Sequence, residues 1–352
     1  MFYTIVSFYK KKLVDRNLYK YLLYIYSMVV KTVFQKKTND IIKDIDDLKV
    51  QGASNVAFAC QDALLYEMNN YSKSKNDLLK YFFALCKELW KTRPTEPAMK
   101  HILISFYCEL EKFSKDRPLL IVKNHMIRFI KDYKEKQKED IIKIGKITRN
   151  WDLHNKVVVF THCHSSIVEN AIKEMHKVGK IEFVVNTETR PLFQGRTTSR
   201  NLAKAGIKIN HIVDSCAYAY ARLLKQKGKN IVFFTGADVI TRKGELINKI
   251  GTSQISFCMH HLGINHYVFT FSNKIDPVSK HWDLEDIELR NPKEIWIEHN
   301  KNIFIHNYAF DITPEYLVKK IVTEKGIINP KDLIKHNNLK KRELEIWNEF
   351  EK

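Results

Sequence analysis

Glycine and proline are scarce, with 11 and 8 in 352 residues, which excludes collagen-like and low-complexity architectures. At 44% apolar and 12% aromatic, the chain can build a real core, and its length points to two domains or one large domain with an appendage. Cysteine is sparse as well. Cys60, Cys86, Cys108, Cys163, Cys216 and Cys258 are widely spaced with no Cys-x-x-Cys pair, so a disulfide framework is not expected and a reducing, cytoplasmic setting is. Long apolar runs are missing. The aromatic opening MFYTIVSFYKKKLVDRNLYKYLLYIYSMVV is interrupted by Lys10, Lys12, Asp15, Arg16 and Lys20, short of the ~18 to 20 apolar residues a membrane span needs. It carries no signal-peptide cleavage pattern; an amphipathic helix packed on a neighbour fits it better than one lying on a membrane. Neither the dinucleotide glycine fingerprint nor a P-loop occurs.

Acidic residues are the minority charge: 59 Lys plus Arg against 40 Asp plus Glu give a formal +19. Such a balance invites a nucleic-acid reading. The lysines, however, are scattered beside Glu and Asp, as in KDYKEKQKEDIIKIGK from Lys131 to Lys146, the pattern of a solvated helix face. No helix-turn-helix, zinc-finger or RNA-recognition signature is present, so no specific nucleic-acid partner is expected.

Helical periodicity dominates up to about residue 145. In Asn76 to Lys91, Leu79, Phe82, Phe83, Cys86, Leu89 and Trp90 recur at three- and four-residue spacing, a buried stripe. Pro97 opens another helix, and 114–146 reads as one long charged helix. After residue 150 the pattern changes. β-rich runs at 156–161, 180–185, 207–213, 230–237 and 265–271 alternate with helical segments near 166–178, 199–205, 217–226 and 248–261. This alternation predicts an α/β protein: a helical N-terminal domain over 41–148, then a parallel sheet covered on both faces over 149–335. Residues 1–40 are read as a helical extension and 336–352 as a charged, helical C-terminal tail.

In such sheets ligands bind beyond the carboxyl ends of the strands. Those ends read THCHSS, NTETRPLFQGR, VDS, TGAD and FSNK, polar groups where a core would not want them. A helix starting at Ser165 or Ser166 places Cys163 at a positive helix end, which lowers a thiol's pKa and binds anions. Three readings of Cys163 stand: a buried passenger, a proton-transfer group, and a metal ligand with His162 and His164. The last is disfavoured because these histidines alternate across an extended chain while zinc needs three or four converging ligands; His260 and His261 share the defect. Asp238 follows an apolar strand, where a carboxyl's pKa rises and it can carry protons. Asn248 and Lys249 suit sugar hydroxyls or phosphate, and Arg190, Gln194 and Arg196 are further anchors. A thiol, a carboxylate and phosphate-type anchors fit acid–base work on a phosphorylated sugar. Aldose–ketose isomerisation needs only such a pair, with no metal or organic cofactor.

The chain also resembles the family that joins archaeal ribose-1,5-bisphosphate isomerases, methylthioribose-1-phosphate isomerases and the regulatory subunits of translation initiation factor 2B. The resemblance spans roughly 45 to 332 and rests on RPTEPA (93–98), THCHSS (161–166), TETRPLFQGR (187–196), IVDS (212–215), GAD (236–238), INKIGT (247–252), FDITPEY (310–316) and TEKGIINP (323–330). It implies a Rossmann-like second domain and a homo-oligomer, dimer or hexamer. It also implies that Cys163 takes a proton and Asp238 gives one, with Arg93, Gln194, Asn248, Lys249 and Lys274 on substrate. THCHS is closer to the ribose-1,5-bisphosphate isomerases than to the methylthioribose branch, which implies conversion of ribose 1,5-bisphosphate to ribulose 1,5-bisphosphate in AMP salvage. The alternatives are a non-catalytic factor-2B-like binding subunit, which would not need the Cys163–Asp238 pair, and a methylthioribose-1-phosphate isomerase. The sequence departs from the family at one point. Where the isomerases grip phosphate with Arg-Gly-Ala, this chain has Gln51, Gly52 and Ala53. An unreplaced charge-assisted contact costs ~1.5 to 3 kcal/mol; Lys49 is the nearby candidate replacement.

Overall fold

The computed structural model describes residues 33–50, 52–93, 96–151, 155–279, 281–287, 289–335 and 339–351. Most of the expected N-terminal extension, residues 1–32, and Gln51 lie outside the described residues.

Five helices form the first layer: α1 (Lys36–Asp46), α2 (Ala53–Asn70), α3 (Leu78–Thr92), α4 (Pro97–Phe113) and α5 (Leu119–Arg149). On α3, Phe82, Cys86, Leu89 and Trp90 of the predicted stripe are buried, together with Leu78 and Leu85, whereas Leu79 and Phe83 are only half-buried against the same core. Phe82 meets Phe106 of α4 at 5.5 Å between ring centroids, inside the packing range for aromatic pairs. The 31 residues of α5 make a rod about 46 Å long. Its first half buries Val122, Met126 and Ile130 in the helical core, and near its end Ile144 enters the core beneath the sheet.

The second part begins with β1 (Val157–Thr161), α6 (Ser166–Lys177), β2 (Ile181–Thr187), α7 (Gln194–Lys204), β3 (Ile209–Ile212), α8 (Ala217–Gln226) and β4 (Ile231–Thr235). It continues with β5 (Val239–Ile240), β6 (Leu246–Lys249), α9 (Thr252–His261), β7 (His266–Phe269), β8 (Phe310–Thr313), β9 (Val318–Thr323) and β10 (Gly326–Ile328). Seven strands pair in the order β10-β9-β7-β4-β1-β2-β3. All neighbours are parallel except the β9–β10 hairpin. Strand alternation divides the packing between the two faces. Val157 and Val159 face Ile167, Ala171 and Ile172 of α6, whereas Val158 and Phe160 face Ala217 and Ala221 of α8 and Ile255 and Met259 of α9. This is the helical-then-parallel α/β architecture the sequence predicts.

Three helices differ from expectation in their bounds. The long helix read over 114–146 begins at Leu119, after Pro118, and runs to Arg149. The helix expected from residue 199 already begins at Gln194. The helix expected from Asn248 begins only at Thr252, because Leu246–Lys249 is the middle strand of a separate antiparallel sheet, β5-β6-β8. Gly251, at φ +101°, takes a left-handed turn that separates strand from helix. Asp311 then accepts the amides of Gly251 at 2.8 Å and Ser253 at 3.0 Å, satisfying donors that a helix start leaves open.

The chain winds outward from β1 through β2 to β3, then returns to β4 on the other side of β1. The gap between the carboxyl ends of β1 and β4 is therefore the switch point of a doubly wound sheet, where ligand crevices form. The first layer also packs on α6, where Asn170 donates to Ile141 O of α5 at 2.9 Å. A last helix, α10 (Lys341–Glu351), buries Ile346, Trp347 and Phe350 in the first core, with Trp347 5.2 Å from Trp90. No described helix is long and apolar enough to cross a membrane.

The start of α7 presses on the end of β2. A Cβ at Gly195 would lie 1.9 Å from Thr187 O, and backbone cannot give way as a flexible side chain does. Gly195→Ala is expected to destabilise the protein by about 3 kcal/mol, read as a lower midpoint in urea denaturation followed by circular dichroism.

Candidate active site

Just beyond β1, Cys163 adopts a left-handed backbone at φ +68°, which a residue with a Cβ takes at a cost of roughly 1 kcal/mol. Hydrogen bonds hold it there. Its N–H donates to Thr189 Oγ1 at 2.9 Å, and its carbonyl accepts from Thr198 Oγ1 at 2.9 Å. Thr189, itself at φ +63°, is held in turn by Asp214, whose carboxylate accepts the amides of Thr189 and Arg190, each at 2.7 Å. The aspartate of VDS is thus a clamp beneath the loop.

The flanking histidines are likewise committed to structure. His162 is buried, with Nε2 2.9 Å from Ile250 O and Nδ1 2.6 Å from Thr187 Oγ1; Nε2 must donate to the carbonyl, so Nδ1 accepts from the hydroxyl. Burial lowers its pKa, keeping the ring neutral. His164 Nδ1 lies 3.1 Å from both Thr198 Oγ1 and Glu169 Oε1. No cluster of three His, Cys, Asp or Glu placed to hold a metal occurs among the described residues.

Ser165 caps α6, accepting the Val168 amide at 3.4 Å. Gly236 brings β4 close to this cap, since a Cβ there would meet Ser165 Oγ at 2.9 Å. One pocket opens at this junction. Its sheet side is lined by Cys163, Ser165, Gly236, Asp238, Asn248 and Lys249. Its helical side is lined by Gly52, Ala53 and Asn55 at the start of α2 and by Arg93 and Glu96 between α3 and α4. Gln194, Lys274, Arg290 and Phe310 complete it. Two helix N-termini, of α2 and α6, therefore share one cavity, each with amides suited to an anion.

Charge inside the pocket is tightly arranged. Arg93, 3% exposed, places Nη2 2.8 Å from Glu96 Oε1. Lys274 donates to Ala237 O at 2.7 Å; burial lowers its pKa, while Asp238 and Glu96 pull it back up. Lys249 sits over the Phe310 ring, 4.9 Å from its centroid. The expectation that a helix N-terminus lowers the Cys163 pKa is overturned. Burial is the largest influence and pushes the thiol up to about 11; Lys249 and the His164 amide lower it, and Asp238 and Asp214 raise it.

Of the residues singled out in the sequence, Gly52, Ala53, Arg93, Cys163, Gln194, Asp238, Asn248, Lys249 and Lys274 line the pocket. Three further candidate anchors do not. Arg190 reaches outward to Ile295 O at 3.1 Å. Arg196 pairs with Glu188 at 3.1 Å and stacks on Phe193. Lys49, the candidate replacement for a missing arginine, is an exposed partner of Asp44 at 2.7 Å. Arg290 and Phe310 were not anticipated: Phe310 enters through strand pairing with Lys249, and Arg290 comes from the irregular stretch between β7 and β8, which has no periodic signal to read.

Fold and pocket define a doubly wound α/β protein with a cation-lined ligand crevice at its switch point. Residues 49–330 match the initiation factor 2 subunit family, IF-2B, and the chain belongs to that family. It is 30% identical to the ribose 1,5-bisphosphate isomerase of Pyrococcus furiosus over 311 residues, 86% of this chain and 92% of that one. It is also 30% identical to the methylthioribose-1-phosphate isomerase of Petrotoga mobilis over 310 residues, 83% of this chain and 86% of that one. The solved translation initiation factor eIF-2B of Pyrococcus horikoshii shares the fold, with a TM-score of 0.70 at 22% identity over 86% of this chain and 100% of that chain.

The opposing charges around the thiol generate a measurable expectation. Alkylation of Cys163 by iodoacetamide, read by peptide mass spectrometry, should accelerate as pH rises through about 11, because only the thiolate reacts. Lys249→Gln should move that rise to higher pH, and Asp238→Asn to lower pH.

Proposed function

We propose that the chain is a sugar-phosphate aldose–ketose isomerase, and that its substrate is ribose 1,5-bisphosphate, converted to ribulose 1,5-bisphosphate. The observation that carries this reading is the meeting of Cys163 and Asp238 in a single pocket with Lys249 and Lys274 between two helix N-termini. Two helix ends suit two phosphates, which favours a bisphosphate over a monophosphate. The similarity to the Pyrococcus furiosus isomerase over most of both chains supports the same substrate.

The chemistry follows from the two groups. Asp238, as the carboxylic acid, gives its proton to the ring oxygen as the ring C1–O bond breaks, and Cys163 Sγ, as the thiolate, takes the proton from C2. The enol so formed recovers that proton at C1 from Cys163, and Asp238 takes the proton from the 2-hydroxyl as the ketone forms. Both groups return to their starting states and no atom is gained or lost. Lys249 favours the thiolate through its charge. A binding subunit without chemistry needs a pocket but not this pair.

An oligomer is supported by the stretch between β7 and β8, where Leu289, Trp296, Ile297 and Phe304 are exposed, the last at 81%; apolar patches of this kind mark association surfaces. Phe304→Glu with Trp296→Glu should lower the mass found by sedimentation.

The decisive assay follows ribulose 1,5-bisphosphate formation from ribose 1,5-bisphosphate, with methylthioribose 1-phosphate run in parallel. Cys163→Ser and Asp238→Asn should each lower kcat by roughly a hundred- to ten-thousandfold while ligand binding persists. A wild type as inert as both variants would exclude the enzyme reading, and turnover of the methylthioribose compound alone would reassign the substrate.

A further inference from the structure

The cations of the pocket are not equivalent. Lys274 is tied to the backbone beside Asp238, and Lys249 acts on Cys163, so both attend the proton-transfer pair. Arg93 faces a carboxylate of its own, Glu96, at 2.8 Å. Arg290 differs. It lines the pocket yet is only 8% exposed. Its Nη2 donates to Glu294 Oε1 at 2.9 Å, and the other oxygen of Glu294 already accepts the Asn307 amide at 3.0 Å. Nε of Arg290, although buried, has no hydrogen-bond partner among the described residues. Buried donors in folded proteins are nearly always satisfied, and a guanidinium that is not fully paired by its protein neighbours matches a phosphate.

The backbone holds Arg290 in place. Its N–H donates to Asn307 O at 2.7 Å, Leu289 bridges Tyr308 in antiparallel fashion, and Asn307 Nδ2 donates to Asn291 O at 2.9 Å. The stretch thus returns to the pocket wall next to β8, whose first residue is Phe310. A side chain fixed so firmly, with a donor left over, is pre-organised for a ligand that arrives with an acceptor. We propose that Arg290 binds one of the two phosphates of the sugar bisphosphate through its guanidinium, supplying an arginine contact that a glutamine at position 51 cannot. The inference rests on the reading of the pocket as a sugar-bisphosphate site. It assigns Arg290 a specificity role, because a substrate with a single phosphate has less use for the contact.

The test compares wild type with Arg290→Gln, Arg290→Lys and Glu294→Gln. With ribose 1,5-bisphosphate, Arg290→Gln should raise KM roughly ten- to a hundredfold with kcat within about threefold, the mark of a lost contact made equally in ground and transition states. Arg290→Lys should recover part of it, keeping charge but not the fork. Glu294→Gln releases the guanidinium from its carboxylate and should leave KM unchanged or lower; if Arg290 were only a structural clamp, Glu294→Gln would copy the KM rise of Arg290→Gln. Thermal stabilisation by pyrophosphate, measured on the same proteins, should be strong in wild type and weak in Arg290→Gln. An unchanged KM in Arg290→Gln, a Glu294→Gln variant that imitates it, or failure of both Arg290 variants to fold overturns the proposal. If wild type turns over no sugar bisphosphate while pyrophosphate protection still depends on Arg290, the substrate reading falls and the anion contact stands.

Discussion

Everything at the pocket depends on a single rod, α5, being packed into two cores at once. Val122, Met126 and Ile130 anchor it among the N-terminal helices, and Ile144 anchors it under the sheet. Gly145 lets it approach α6 so closely that a Cβ there would stand 2.3 Å from Asn170 Nδ2. Because α5 is continuous from Leu119 to Arg149, the N-terminal helices cannot shift against the sheet without breaking one of the two cores. That rigidity sets the start of α2 opposite the carboxyl ends of β1 and β4. Neither half of the chain contains the pocket, since Cys163 and Asp238 come from one side and Arg93 and Glu96 from the other.

Within that frame the reactive loop is set by hydroxyls rather than by charge. Thr189 and Thr198 hold the two backbone ends of Cys163, and Asp214 holds Thr189. Each bond contributes about 1 kcal/mol, enough together to offset a left-handed cysteine. The electrostatic balance then falls on the sulfur itself, where burial outweighs the nearby lysine. A thiolate formed there is a strong base because it is costly to form.

How far the sequence foretold this can be seen residue by residue. The periodicity switch near residue 150 and the strand-end rule were enough to pick out Cys163, Asp238 and Gln194, since a doubly wound sheet places those ends together by topology alone; Lys274 is placed on substrate only by the family resemblance. The antiparallel sheet β5-β6-β8 was hidden: β5 is two residues long, and β8 pairs with β6 across more than sixty residues of sequence, a distance no local pattern records. Arg190 and Arg196 misled because strand-end position says where the backbone goes, not where a long side chain turns. Arg290 had no pattern to reveal it, being placed by a loop whose geometry is fixed through Asn307 and Tyr308. The thiol's pKa escaped as well, because a helix end is visible in sequence and the depth of burial around a sulfur is not.

The neutral state of Cys163 has a further consequence for the life of the protein. Oxidants and electrophiles attack thiolates, and the fraction of thiolate at physiological pH falls tenfold for each unit by which the pKa exceeds it. A sulfur whose pKa is pushed up to about 11 is shielded by its proton even though it faces the pocket. The same environment that makes this base hard to ionise slows its loss to peroxide, by keeping the sulfur protonated rather than by keeping reagents out.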